Sequence, residues 1–144
     1  MTWSLKKNSV LVPFDFSDGC RRAIRVARSF VDSDAAIIVM HVVRPPATSY
    51  PGVLWTDMDA ESIRARAHQA LCKELSRLEV GAEAVTSIGS PAAEIVSRAA
   101  AEKSELIVMP SHGRTGIERV LLGSVTEKVV RKAQIPVLVL RAQD

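Results

Sequence analysis

Aromatic residues are scarce in this chain: three Phe, two Trp and one Tyr among 144 residues. A core must therefore be assembled from Val, Ile, Leu and Ala, a bias that suits a buried parallel sheet covered by helices. Cysteine is equally sparse. Cys20 and Cys72 both fall in helical patterns and fit no metal-ligand spacing, so two buried or half-buried free thiols in a reducing compartment are expected. The three histidines, His41, His68 and His112, are not spaced for a structural zinc. His41 reads as a packed core histidine and His68 as helix surface.

Long apolar runs are missing as well. No stretch approaches the length of a membrane span, and Met1 to Asn8 lack the apolar segment of a signal peptide. A cytoplasmic protein without a membrane partner is expected. Nor is there an excess of one charge. The formal net charge is +3, with both signs spread along the chain. Arg21, Arg25 and Arg28 share a helical face with Arg22 beside them, and no aromatics interleave for base stacking. That describes a solvated face, not a nucleic-acid surface. There is no Gly-x-x-x-x-Gly-Lys-Ser/Thr and no Gly-x-Gly-x-x-Gly after the first strand. Ser111 beside His112 has no nucleophile elbow and no identifiable acid partner, and adjacent residues rarely face each other, which excludes serine hydrolase chemistry.

What is present alternates regularly, and its length allows one domain over 1–144. Ser9 to Phe14 reads as an apolar strand ending at Asp15, and Ser17 can cap a helix with its stripe at Ala23, Ile24, Ala27, Phe30 and Val31. Ala35 to Val43 reads as a strand buried on both faces. Arg44 to Thr56 is a linker of about thirteen residues with three prolines, long for such a connection and either a lid or an excursion. A helix from Thr56 or Asp57 to Leu78 carries Ile63, Ala67, Leu71, Leu75 and Leu78 on one stripe and stops at Gly81. Ala82 to Ile88 forms the third strand. Ser90 as N-cap and Pro91 at the first helical position start a helix running to about Lys103. Glu105 to Met109 is the fourth strand, a further helix ends near Ala133, and Val137 to Leu140 is the last strand. This βαβαβαβαβ order with right-handed crossovers predicts a parallel sheet between helices, with ligands bound beyond the carboxyl ends of the strands.

The loop after the fourth strand is the richest segment. Pro110-Ser111-His112-Gly113-Arg114-Thr115-Gly116 is followed by Gly123-Ser124-Val125-Thr126-Glu127, where Ser124 and Glu127 are spaced as a capping box. A strand end, a small-residue loop and a fresh helix N-terminus are the parts from which phosphate sites are built.

Val10 to Ser17, Val39-Met40-His41-Val42-Val43 and Ser111 to Arg141 together resemble the universal stress protein family over nearly the whole chain. Nucleotide-binding members carry Gly-x2-Gly-x9-Gly-Ser/Thr here; Gly113, nine residues, then Gly123-Ser124 match its last two thirds, and Pro110 stands in place of the first glycine. Proline removes a backbone N–H, so any contact needing that donor is lost.

The resemblance implies an α/β three-layer α/β/α sandwich, a five-stranded parallel sheet of order 3-2-1-4-5 as in the adenine nucleotide alpha hydrolase-like fold. It also implies ATP or another adenine nucleotide in the crevice between strands one and four; Mg or Mn would accompany the phosphates, whose concentrated charge Ser and Thr hydroxyls cannot neutralise. Pro13, Phe14 and Asp15 would border adenine and ribose, and Val42 would line the adenine pocket. Met109, Pro110, Ser111, His112 and Gly113 would wrap the ribose and α-phosphate. Gly123, Ser124, Val125 and Thr126 would hold phosphates through N–H and hydroxyl groups. Asp15 reads equally well as an Asx turn, and Val42 as core. No general base stands out, so a slow ATPase is the most that is expected. A homodimer through Val137-Leu140 is expected from the apolar edge strand and from the resemblance. The alternative is a dimer that binds no nucleotide and acts through protein contacts alone.

Overall fold

The computed structural model describes residues 4–45, 57–113 and 122–142. Five strands alternate with four helices: β1 Val10–Pro13, α1 Asp18–Arg28, β2 Ile37–Val43, α2 Asp57–Arg77, β3 Glu83–Ile88, α3 Pro91–Ala101, β4 Leu106–Pro110, α4 Ser124–Lys132 and β5 Val137–Leu140. A short 3-10 turn, Asp34–Ala36, precedes β2. The sheet is parallel throughout, in the order β3-β2-β1-β4-β5. The expected architecture and strand order are those observed.

Period-two alternation sends each central strand's side chains to two cores. Val10, Val12, Ile37, Val39, Leu106 and Val108 face α1 and α2, meeting Ala23, Ile24, Ala27, Leu71 and Leu75. Leu11, Ile38, Met40, Ile107 and Met109 face α3 and α4, meeting Ala92, Ile95, Ala99 and Val129. The first core is drawn together by ion pairs across its helices. Arg21 of α1 reaches Glu74 of α2 at 2.7 Å, and Arg77 reaches the same carboxylate at 2.7 Å. Two guanidiniums hold the Glu74 carboxyl down at about 2, the hydrogen bond from Arg77 contributing most. Arg28 pairs with Asp34 at 2.6 Å. The arginine face of α1 is thus partly a clasp, where a wholly solvated face was expected.

Ser17 caps α1 as expected, its side chain accepting the Cys20 N–H. The end of α2 differs. Its stop is Glu79, in the left-handed region at φ 56°, two residues ahead of Gly81. The Val80 N–H bonds Leu75 O and the Glu79 N–H bonds Ser76 O, closing the helix in a Schellman-like turn that forces this conformation on a non-glycine residue. Ile63, expected on the buried stripe, is 37% exposed. His68 is half-buried, not surface, and Cys72 is exposed. Residues 46–56 of the proline-bearing linker, together with Arg114, Thr115, Gly116 and Leu121, lie outside the described residues. Among the described residues, no helix is long and apolar enough to cross a membrane.

Candidate functional site

β1 pairs with β2 as far as Pro13 opposite Met40, but with β4 only at Val10 opposite Leu106 and Leu11 opposite Ile107. Beyond those residues β1 and β4 part, and a cleft of about 600 Å³ opens over their carboxyl ends. This is where strand order reverses, the expected place for a ligand in an open parallel sheet. Its floor and walls are Pro13, Phe14 and Asp15 from the end of β1 and the turn after it, Val42 from β2, Met109, Pro110, His112 and Gly113 from the end of β4 and the loop after it, and Gly123, Ser124, Val125 and Thr126 from the head of α4. Twelve of the thirteen expected site residues therefore converge. The thirteenth, Ser111, is 5% exposed and does not line the cleft.

Ser111 works behind the site instead. Its N–H donates to Leu140 O of β5 at 2.8 Å, and its carbonyl accepts the Gly123 N–H at 2.7 Å. Its Oγ meets His112 Nδ1 at 3.0 Å, so these neighbours do face each other, against expectation. The His112 Nε2 is buried and has no hydrogen-bond partner among the described residues. Ser111 is buried away from the cleft, and a nucleophilic role stays excluded.

The head of α4 differs from the expected capping box. Gly123, not Ser124, is the N-cap, and among the described residues no side chain caps the helix. The cause is a contact back to the end of β4: the Gly123 N–H is drawn onto Ser111 O, and a Cβ at Gly123 would lie 3.2 Å from that oxygen and 3.4 Å from His112 Cα. The first bond inside the helix runs from Glu127 N–H to Gly123 O, and the Glu127 carboxylate pairs forward with Arg131 instead of reaching back to the cap. The N–H groups of Ser124, Val125 and Thr126 consequently have no acceptor within the helix and open toward the cleft, with the positive end of the helix behind them. Thr126 is 3% exposed, and its hydroxyl donates to Pro110 O at 2.9 Å. It can donate to a ligand only through its backbone N–H, since its hydroxyl proton is already engaged.

Pro110 explains itself in the same frame. Ile107 and Ser111 donate toward β5, so by alternation the Pro110 nitrogen faces the β1 side, where the strands have parted. Any other residue would leave an N–H there.

Across the cleft, Asp15 makes the Asx turn read from its position. Its Oδ1 accepts the Ser17 N–H at 3.0 Å and the Cys20 thiol at 3.0 Å. Burial first, and the neighbouring Asp15 charge second, push the Cys20 thiol up to about 12. Asp15 Oδ2 lies 2.8 Å from where a Cβ at Gly113 would stand, so a side chain there would have to displace the Asp15 carboxylate. His41 Nδ1 bonds Phe14 O at 2.8 Å, which ties β1 to β2 and is the packed, hydrogen-bonded role expected of it. Phe16, at φ 66°, stacks edge-on against Phe14 and His41 with centroids 5.1 Å apart in each case.

Cys20, Met40, His41, Arg44, Pro91, Ile95 and Leu122 also line the cleft. Sequence reasoning missed them. Met40 was within reach, two residues before Val42 on one face of a strand, whereas Pro91 and Ile95 enter only through the packing of α3. The described residues contain no group of three His, Cys, Asp or Glu able to hold a metal ion.

Residues 7–141 match the model of the universal stress protein family. The chain is 36% identical over 141 residues to Universal stress protein MJ0531 of Methanocaldococcus jannaschii, covering 92% of this chain and 81% of that one. Among solved structures, universal stress protein UspA from Lactobacillus plantarum superposes with a TM-score of 0.75 at 25% identity, over 96% of this chain and 100% of the other. A universal stress protein crystallised in complex with cAMP superposes with a TM-score of 0.63 at 26% identity, over 94% and 98% of the two chains.

Proposed function

This chain belongs to the universal stress protein family, and on that premise we propose that it binds an adenine nucleotide, ATP foremost, in the cleft between β1 and β4. The observation that carries this reading is the uncapped head of α4. Ser124, Val125 and Thr126 line the cleft, and among the described residues no side chain caps their first-turn N–H groups, an arrangement suited to phosphate. The opposite wall, with Met40, Val42, Ile95 and Met109, is apolar and suits a purine base. The relative solved with cAMP holds a ligand of this class.

In this reading Pro13, Phe14 and Asp15 border adenine and ribose, and Val42 lies against the base. Met109, Pro110, His112 and Gly113 wrap the ribose and α-phosphate, with Ser111 bracing the loop from behind. Gly123, Ser124, Val125 and Thr126 cradle the phosphates, the Thr126 hydroxyl excepted. Asp15 is the one carboxylate among the described lining residues, and its Oδ1 is bound to Ser17 and Cys20. A Mg or Mn ion would thus be held by the phosphates and water, neutralising their charge, with no cage of protein carboxylates. Among the described residues no carboxylate stands over the phosphate end, and in this reading hydrolysis is slow at most.

The working unit is a single domain over 1–144 in the cytoplasm, paired with a second copy through β5. β5 is an edge strand. Pro136 and Leu140 carbonyls accept from β4, so the N–H groups of the alternate residues Val137 and Val139 face outward, where two identical edges can pair about a two-fold axis. Val139→Pro removes one of those donors and should give monomers. A mass near 15.6 kDa by light scattering of the unmodified protein at micromolar concentration would remove the dimer.

Calorimetric titration with Mg-ATP at millimolar concentration tests the nucleotide reading, with saturable heat and a thermal shift expected. Absence of both favours the second reading, a dimer working through protein contacts alone, for which the donor missing at Pro110 is the supporting observation.

A further inference from the structure

Away from the cleft, α2 and β3 assemble a nucleophile, a base and an orienting hydroxyl. His68 and Cys72 are four residues apart on α2 and share one face. The Cys72 Sγ lies 3.5 Å from His68 Nε2. On the other side of the ring, Nδ1 lies 3.2 Å from Thr86 Oγ1 of β3. Thr86 is 7% exposed, the imidazole is half-buried between helix and sheet, and Cys72 is exposed. The three groups run in a line from the sheet to solvent. With its proton on Nδ1 and donated to Thr86, His68 presents Nε2 to the thiol. Once it takes the thiol proton, both ring N–H groups remain bonded, one to Thr86 Oγ1 and one to the thiolate. This is the geometry that activates a weak nucleophile.

We propose that Cys72 is a thiol-modification site that forms mixed disulfides with small disulfides of the glutathione class. The Cys72 thiolate attacks one sulfur of the disulfide, and a new S–S bond forms as the old one breaks. The leaving thiolate takes the proton held on His68 Nε2, so the exchange needs no further oxidant. The product persists because the chain's other cysteine, Cys20, is sealed on α1 at 3% exposure. Exposure at Cys72 leaves room for the bulky adduct.

The test follows the reaction of the native full-length protein with a chromogenic aromatic disulfide, and then with oxidised glutathione by intact mass. One thiol per chain should react quickly, and Cys72→Ser should abolish that phase. His68→Gln should slow it by at least about tenfold, and Thr86→Val by a smaller factor, with each variant's melting curve confirming the fold. A folded His68→Gln protein reacting at the unmodified rate overturns the proposal. So does a fast phase that survives Cys72→Ser, or a Cys72 that reacts no faster than free glutathione. Oxidised glutathione should add a single glutathione mass, and its failure to do so also overturns the assignment.

Discussion

The two faces of the sheet are built alike and end differently. On one, α1 and the 21-residue α2 cover the strands, large side chains such as Leu71 and Leu75 fill the layer, and the Arg21–Glu74–Arg77 clasp draws the helices together. On the other, α3 and α4 have only 11 and 9 residues, and α3 contributes two alanines and one isoleucine to the core. Helix rise makes α2 about 31 Å long, while α4 spans about 13 Å. The long helix seals its face, whereas among the described residues the short ones leave the carboxyl ends of β1 and β4 uncovered. A cleft of this kind needs no special device; it is where a layer made of small residues and short helices runs out.

The sharpest way to break the contrast is to hollow out each face. Leu71→Ala on the sealed face should cost about 3 kcal/mol, read from the denaturant midpoint at unchanged slope. Ile95→Ala, on the wall of the cleft, should cost about 1–2 kcal/mol, because the space it leaves joins a solvent-filled opening instead of becoming a void. Equal costs would show that the two faces are sealed alike. Next in size, Gly123→Val should leave the fold intact and weaken nucleotide binding at least about tenfold, or 1.4 kcal/mol, since a branched side chain meets Ser111 O and His112 Cα at the head of α4. Gly116→Ala, outside the signature spacing, should do less, and equal losses would mean the loop has been misread.

Pro110→Gly sharpens the open side. It supplies an N–H on the β1 side of the crevice and should tighten nucleotide binding a few-fold by calorimetry, while costing about 0.5–1 kcal/mol of stability through the freer unfolded chain. The smallest effect belongs to the clasp. Glu74 lies at about 2 in the fold, below its ordinary 4.5. The stability it contributes is complete above pH 4.5 and is lost as pH falls from there toward about 2. Solvent screening of the exposed Arg77 arm limits this to about 1 kcal/mol. Glu74→Gln should flatten that limb of an acid-unfolding curve, and an unchanged limb would show that the clasp contributes nothing.

The strands were legible because a sheet buried on both faces writes itself as short apolar runs, and Val10–Pro13, Ile37–Val43 and Leu106–Pro110 are such runs. Most of the cleft's lining was legible too, since strand ends and a helix head are local features. What escaped depends on partners distant in the chain. The N-cap of α4 falls on Gly123 because Ser111, twelve residues earlier, takes its N–H. α2 stops at Glu79 because bonds back to Leu75 and Ser76 outweigh the preference for glycine. His68 looked like surface because Thr86, its partner, sits on β3. Arg44 and Pro91 enter the cleft only once β2 and α3 are in place.

Cys20 has a use beyond its place in the wall of the cleft. Its sulfur is bonded to Asp15 and ionises only near pH 12 in the fold, so an alkylating reagent at neutral pH reaches it only when α1 lifts from β1. Its labelling rate is therefore a clock for local opening at the floor of the cleft. Cys72, already exposed, supplies the unprotected reference rate on the same chain. A ligand that holds the floor shut would slow the clock and leave the reference unchanged, so occupancy can be timed from two masses in one spectrum without any label on the ligand.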